Sequence, residues 1–253
     1  MDSFLSIKRN LDDNNDNDND DNKLIVKKSR TDGTDDEIKS TKLTIVTHNC
    51  NSLYNRLVNK SDQVDYKCYN DLIREHDVDI ICFQEVRAPA AQISNNKIDR
   101  TKVSTSYGKD KKSKKENEVL GNFLKNDFDK FFSLADQRYG GSMVAIKKGI
   151  PVQWIAYNFK HAFELDNNES NESFDQSLIK DNHYEDGRVI IVHMATITLI
   201  ATYSPNNGLK PDQFLKRERF DKEISKFTKY WRHPLIWVGD YNIAPETQGE
   251  NYP

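Results

Sequence analysis

The strongest constraint on how this chain can fold is a set of short, β-branched apolar runs, each of which stops abruptly at polar side chains. Ile45-Val46 leads into Asn49 and Asn51, and Ile80-Ile81-Cys82-Phe83 leads into Gln84-Glu85. Leu199 to Thr202 leads into Tyr203-Ser-Pro-Asn206, and Leu235 to Val238 leads into Gly239-Asp240-Tyr241-Asn242. Runs of this length and composition predict buried strands. Further strands are expected at Ser142 to Ile146 and Val152 to Tyr157, read as a pair joined through Gly149-Ile-Pro151, and two more between Arg188 and Thr202, turning near Met194 to Thr196. Apolar spacing predicts helix over part of 53–75, broken near Asn59-Lys-Ser, and again over 214–231. Strands outnumber helices without strict alternation, which favours a mixed-sheet α/β sandwich over a doubly wound parallel fold.

Charge divides the chain. Residues 1–40 hold seven Lys/Arg against eleven Asp/Glu, and Asp12 to Asn22 is an unbroken run of Asp and Asn. Such a run has nothing apolar to bury and cannot offset its ordering entropy. Residues 1–40 therefore read as a disordered acidic tail, and 41–253 as one domain. Within the tail, Lys27-Lys28-Ser29-Arg30 is either a weak nuclear-import signal or a few solvated charges; otherwise the chain reads as cytoplasmic. A net charge of -3 excludes a basic DNA-coating protein. No apolar run is long enough to span a membrane, the N-terminus lacks a secretory pattern, and three widely spaced cysteines suit a reducing compartment. Two polar stretches, 97–118 and 164–186, read as surface insertions. The first carries eight Lys/Arg against four Asp/Glu, either a contact for a nucleic-acid backbone or a solvated loop.

If the four strand ends lie side by side, two carboxylates, several amides and a phenol share one pocket. In extended chain Asn49 and Asn51 face one way, as do Asp240 and Asn242, and Gly239 permits close backbone approach just before Asp240. Carboxylates and amide carbonyls without His/Cys clusters suit a hard cation such as Mg²⁺. Glu85 is the best single ligand. Asp240 can orient or deprotonate an attacking water, and Asn242 can hold that water or help bind metal. Tyr203 can donate to a phosphate oxygen or protonate a leaving oxygen, and Asn206 can position the phosphate. Metal-assisted hydrolysis of a phosphate ester is the reaction this set implies. Taken singly, each of these residues is equally a turn or loop residue.

Six segments occur in an order that resembles a known family. They are Thr44-Ile-Val-Thr-His-Asn-Cys-Asn-Ser-Leu53, Val78-Asp-Ile-Ile-Cys-Phe-Gln-Glu85, Ser142-Met-Val-Ala-Ile146, Gly187-Arg-Val-Ile190, Tyr203-Ser-Pro-Asn-Asn-Gly208 and Pro234 to Ala244. Together they resemble the exonuclease III-like apurinic/apyrimidinic endonucleases of the endonuclease/exonuclease/phosphatase superfamily. The resemblance implies a four-layer α/β sandwich of two mixed sheets flanked by helices. It also implies Mg²⁺-dependent cleavage of double-stranded DNA 5′ to an abasic site, with Mn²⁺ as a substitute metal and 3′-exonuclease or 3′-phosphodiesterase activity alongside. By the same resemblance Glu85 and Asn49 bind metal, with Asp240 and Asn242 contributing. Tyr203, Asn206, Asp240 and Asn242 sit at the reacting phosphate, and Asn51 stands where relatives carry Asp or Asn.

The sequence departs from the pattern in three places. His48 replaces an aromatic residue, and Met143 replaces a glycine. The family's closing Ser-Asp-His motif, with one metal carboxylate and the catalytic His, is not found before Pro253, and none of the six histidines lies in such a setting. The expectation is a sandwich incomplete at its C-terminus and impaired in catalysis, with binding of DNA or phosphate without cleavage as the alternative. A phosphoesterase acting on RNA or phosphoinositide is the other. The sequence indicates no obligate protein partner and no membrane association.

Overall fold

The structure, a computed structural model, describes residues 5–9, 42–59, 61–93, 97–106, 112–166, 183–208 and 210–243. Its first sheet has the order β1-β2-β3-β7-β6, formed by β1 (Leu5–Arg9), β2 (Leu43–Asn49), β3 (Ile80–Gln84), β6 (Phe128–Ser133) and β7 (Ser142–Lys147). The second has the order β11-β10-β9-β8, formed by β8 (Val152–Ala156), β9 (Val189–Met194), β10 (Thr198–Tyr203) and β11 (Leu235–Asp240). A small ribbon of β4 (Ala90–Gln92) and β5 (Ile98–Val103) pairs separately and packs beside β6. Each main sheet is mixed: β2 runs parallel to β3 and β10 parallel to β11, while the other pairings are antiparallel.

Alternation along the strands assigns the layers. Ile45, Ile80, Cys82, Val144 and Ile146 of the first sheet meet Ile190, Val192, Leu199, Ala201 and Val238 of the second in one buried cluster. The opposite face of the first sheet, including Val46, Ile81 and Phe83, packs on α1 (Leu53–Leu57), α2 (Lys67–His76) and α3 (Lys112–Asn122). The outer face of the second, including Ile191 and Ile200, packs on α4 (Phe159–Leu165) and α5 (Pro211–Tyr230) through Phe159, Phe163, Phe220 and Phe227. This is the expected four-layer sandwich. Each fully buried Ile, Leu or Phe in these layers contributes roughly 1.5–3 kcal/mol. Among the described residues no helix is long and apolar enough to cross a membrane.

Local chemistry sets the boundaries. The helical pattern over 53–75 splits into α1 and α2, as the Asn59 break predicts, with Asn59 Oδ1 accepting from the Ser61 and Gln63 amides at 2.9 and 3.0 Å. Asn158 caps α4 by accepting from the His161 amide at 2.7 Å. Pro211 opens α5, where its missing N–H costs nothing.

Three expectations change. The strands flanking Gly149-Ile-Pro151 do not pair: β7 joins β3 and β6, whereas β8 crosses to the second sheet and pairs with β9. Five of the six β7 residues are buried, so β7 takes a neighbour on each side, and proximity in sequence did not show which. The stretch 97–118 is not a simple surface insertion. Its ends form β5 and most of α3, and Val103 and Val119 join the core. Of its lysines, Lys115 pairs with Asp62 and Lys112 lies over the Tyr54 ring. Finally, Leu5–Arg9 pairs antiparallel with β2, so five residues of the stretch read as a disordered tail are strand. Leu-Ser-Ile-Lys-Arg alternates apolar and polar residues, which the long Asp/Asn run does not. The rest of 1–40, including Lys27 to Arg30, lies outside the described residues, as does most of 164–186.

Candidate active site

The two parallel pairs bring the polar strand ends together. In the first sheet Asn49 is the register partner of Gln84, immediately before Glu85; in the second, Tyr203 is the partner of Asp240. Gly239 makes the second pairing possible. Its φ is +137°, and a Cβ there would lie 1.9 Å from the Thr202 carbonyl oxygen. Only glycine lets the two backbones run this close.

Asn49 joins the sheets. Its Nδ2 donates to Glu85 Oε1 at 2.9 Å and to Asp240 Oδ2 at 2.7 Å, so the two carboxylates flank one carboxamide. Glu85 also accepts from Arg87 Nε at 2.9 Å, from Arg87 Nη2 and from the Tyr203 hydroxyl. Burial disfavours the Glu85 anion, but the bonds from Asn49 and Arg87, the Arg87 charge and the Tyr203 hydroxyl outweigh it, so its pKa falls below the usual value. Burial, and then the Glu85 charge, push Tyr203 well above the ordinary tyrosine range, so its hydroxyl stays protonated. Asp240 Oδ1 accepts from the Asn242 amide at 2.9 Å, which turns the chain at the end of β11.

The remaining sequence candidates sit differently. β2 ends at Asn49, and Asn51, at φ +45°, is exposed with its amide donating to Asn49 Oδ1 at 3.1 Å. Strand alternation therefore does not carry Asn51 to the same face as Asn49. Asn242, at φ +49°, commits its Nδ2 to the Ser204 carbonyl at 2.7 Å and so braces the Tyr203 loop. Asn206 is exposed in that loop, and among the described residues no hydrogen bond ties it to the Glu85–Asp240 cluster.

Several supporting residues escaped the sequence reading. Arg188 is buried beneath Tyr203: Nη1 donates to the Tyr203 carbonyl at 3.0 Å, Nη2 to the Tyr139 hydroxyl at 2.9 Å, and Nε to Asp186 Oδ2 at 2.8 Å. Its guanidinium carbon lies 4.7 Å from the Tyr203 ring centroid. The preceding Gly187 passes so near β6 that a Cβ would sit 2.2 Å from the Ser133 oxygen, and Ser142 Oγ donates to the Gly187 carbonyl at 2.9 Å. The Gly187-Arg segment was visible as a motif, but its task of supporting Tyr203 was not. Buried Arg217 of α5 donates to the Pro205 and Asn242 carbonyls at 2.9 and 3.2 Å, locking the two loops together. His48 is a packing residue, 3.1 Å from the Tyr69 hydroxyl through Nδ1, and Met143 fills the core of the first sheet.

The donor set is one of hard oxygens: two carboxylates with amide groups between and beside them. Cys50 Sγ lies 3.5 Å from the Glu85 carbonyl, but burial pushes its thiol up to about 12, so it supplies no soft thiolate. The residues therefore fit a hard divalent cation better than a thiophilic one. Arg87, half-exposed, holds positive charge against Glu85 where such a cation would bind.

A mixed sandwich with paired acids at its strand ends is the architecture of a phosphoesterase class, and comparison with known proteins makes that specific. The Endonuclease/Exonuclease/phosphatase family profile matches residues 46–249, and the chain belongs to this family. It is similar to proteins named DNA-(apurinic or apyrimidinic site) endonuclease. It is 34% identical to that of Plasmodium berghei over 83% of this chain and 39% of the relative, and 35% identical to that of Plasmodium falciparum over 85% and 35%. The counterpart from Arabidopsis thaliana is 29% identical over 82% and 52%. The chain thus spans between about a third and a half of the length of the curated relatives it matches. Among solved structures, the AP endonuclease LMAP of Leishmania major superposes with TM-score 0.53 at 16% identity, over 83% of this chain and 58% of that one. The Xenopus laevis APE2 catalytic domain superposes with TM-score 0.50 at 16% identity, over 83% and 61%. At these identities the likeness supports the fold alone.

Proposed function

We infer that this chain carries catalytic residues of an apurinic/apyrimidinic endonuclease, hydrolysing the DNA phosphodiester 5′ to an abasic site with Mg²⁺. The observation that carries the reading is the Asn49 carboxamide held between Glu85 and Asp240, which puts an acid from each sheet on one small site. The names of the curated relatives support the same substrate. Glu85 would hold the metal with Asp240 beside it, and Asn49, whose Nδ2 faces both acids, would have to turn its carboxamide oxygen towards them to join the set. When bound, the cation would neutralise developing phosphate charge and favour the nucleophilic form of water.

The chain's own residues supply the rest. Asp240, fixed on one oxygen by Asn49 and on the other by the Asn242 amide, orients the attacking water and accepts its proton. Tyr203 keeps its proton at physiological pH and can turn its hydroxyl from Glu85 to a phosphate oxygen or the leaving oxygen. Arg188 holds Tyr203 in place while it does so. Asn51 and Asn206, both exposed, are positioned to meet the DNA backbone at the rim. The same groups acting at a strand terminus would give 3′-exonuclease or 3′-phosphodiesterase activity. Lys27 to Arg30 is the feature that supports a nuclear location.

A second reading, binding without cleavage, is favoured by the histidines. His48 lies in the core against Tyr69 and Phe83, His183 packs on Phe220, and His193 and His233 lie together on the second sheet. A nicking assay on an abasic duplex, in Mg²⁺ and in EDTA, with binding measured in parallel by fluorescence anisotropy, separates the readings. Metal-dependent nicking lost in Glu85→Ala and Asp240→Ala supports hydrolysis. Binding without nicking selects the second reading, and neither binding nor nicking rejects both.

A further inference from the structure

The second sheet carries another cluster of ligating side chains at its far end. Asp166 closes α4, His193 lies in β9, and His233 precedes β11; one ligand atom from each lies within 4.8 Å of the others. His233 Nε2 is 2.8 Å from Asp166 Oδ1, and the two imidazole centroids are 4.6 Å apart. We propose that Asp166, His193 and His233 form a divalent transition-metal site of the zinc class, separate from the catalytic centre.

The geometry supports this in two ways. First, His193 is fixed. Its ring stacks on Trp154 with centroids 4.7 Å apart, and its Nδ1 meets Thr198 Oγ1 at 2.8 Å. Thr198 Oγ1 in turn accepts from Trp231 Nε1 at 3.0 Å. That leaves Nε2 as the ligating nitrogen. A second ring nitrogen held by an outer partner is the usual support of a metal-bound imidazole. Second, the Asp166 carboxylate is 6% exposed and His233 29% exposed, so a buried anion faces a ring at the surface. Zinc, at its roughly 2.0–2.2 Å metal–ligand distances, would draw the three ligand atoms together, with water completing a tetrahedron.

Two imidazoles and one carboxylate suit Zn²⁺ better than Mg²⁺, which prefers oxygen. Location separates the two sites. His193 pairs with Thr198, which pairs with Leu235, whereas Tyr203 and Asp240 lie five residues further along β10 and β11. At the rise of an extended strand that is about 17 Å. A metal here would tie the end of α4 to β9 and to the connection between α5 and β11.

The test is zinc binding by isothermal titration calorimetry on the full chain, with Mg²⁺ in excess to occupy the catalytic centre. One equivalent of Zn²⁺ is expected to bind. In Asp166→Asn, which keeps the shape and a hydrogen-bonding group, and in surface-lying His233→Ala, the Kd should rise by at least about ten-fold. Cys68→Ser and Glu85→Gln should bind as the parent does, which excludes the exposed thiol and the catalytic acids as the source. Co²⁺ should give a visible ligand-field band without a sulfur charge-transfer band. Absence of zinc binding, equal affinity in Asp166→Asn and His233→Ala, or loss of binding in Cys68→Ser or Glu85→Gln would overturn the proposal.

Discussion

Asn49 donates to Asp240 at 2.7 Å across 191 residues of chain and from one sheet to the other. The same nitrogen holds Glu85, so a single carboxamide separates two carboxylates that would otherwise face each other. In Asn49→Ala the acids lose that donor and repel. The Glu85 pKa should rise towards or above the ordinary glutamate value, seen as a shifted carboxyl resonance in an NMR titration. Losing hydrogen bonds to charged groups should also cost about 1.5–3 kcal/mol of stability by urea denaturation.

Acid stability should report Glu85. Its pKa in the fold lies below the ordinary value, so it stabilises the folded state above the ordinary glutamate range of about 4.3. That contribution disappears as pH falls through the lowered value. Glu85→Gln should lack this dependence, and denaturation midpoints of the two proteins should converge at low pH.

Arg87 competes for the Glu85 oxygen that a cation would use. The pair is partly exposed, a setting in which such contacts contribute about 0.2–1 kcal/mol. Arg87→Ala should therefore bind Mn²⁺, used as a spectroscopic stand-in for Mg²⁺, up to about five-fold more tightly. Unchanged affinity in an electron paramagnetic resonance titration would contradict this.

Removing the Tyr203 hydroxyl should separate catalysis from folding. In Tyr203→Phe the ring stays over Arg188, and stability should fall by about 1 kcal/mol, the cost of one hydrogen bond. If Tyr203 protonates the leaving oxygen, nicking should fall by roughly 10²–10⁴-fold. Single-turnover assays on abasic duplex, alongside thermal denaturation, check both.

Gly239→Ala forces a methyl group against the Thr202 carbonyl at a backbone angle that disfavours alanine. A loss of about 2 kcal/mol or more is expected, with weakened Tyr203–Asp240 pairing. Gly149→Ala is the control, because its φ is +93° but nothing lies within 4 Å of the added carbon. A smaller loss there isolates the cost of the clash from that of the backbone angle.

The strands that end at the site were readable because burial on both faces demands unbroken apolar runs, as in Ile80 to Phe83 and Leu199 to Thr202. The less apolar β5 and α3 were hidden by lysines, since Val103 directly follows Lys102 and Val119-Leu120 follow the charged run of 109–118. The partners of β7 were hidden because register across 60 residues leaves no local mark. At the site, Asn49 and Asp240 meet as the strand ends suggested, whereas Asn51 and Asn242 do not follow strand alternation. Both lie two residues past a strand end at positive φ, where alternation no longer applies. Arg188 was passed over because its work is done through Tyr203 and shows only in three dimensions.

The two acids belong to different sheets, so their spacing is a caliper set by the seam of Ile80, Cys82, Val144, Ala201 and Val238 packed between those sheets. Trading a methyl group in that seam would open or close the jaws without altering either acid. The distance between the two acids is thereby set from the hydrophobic interior.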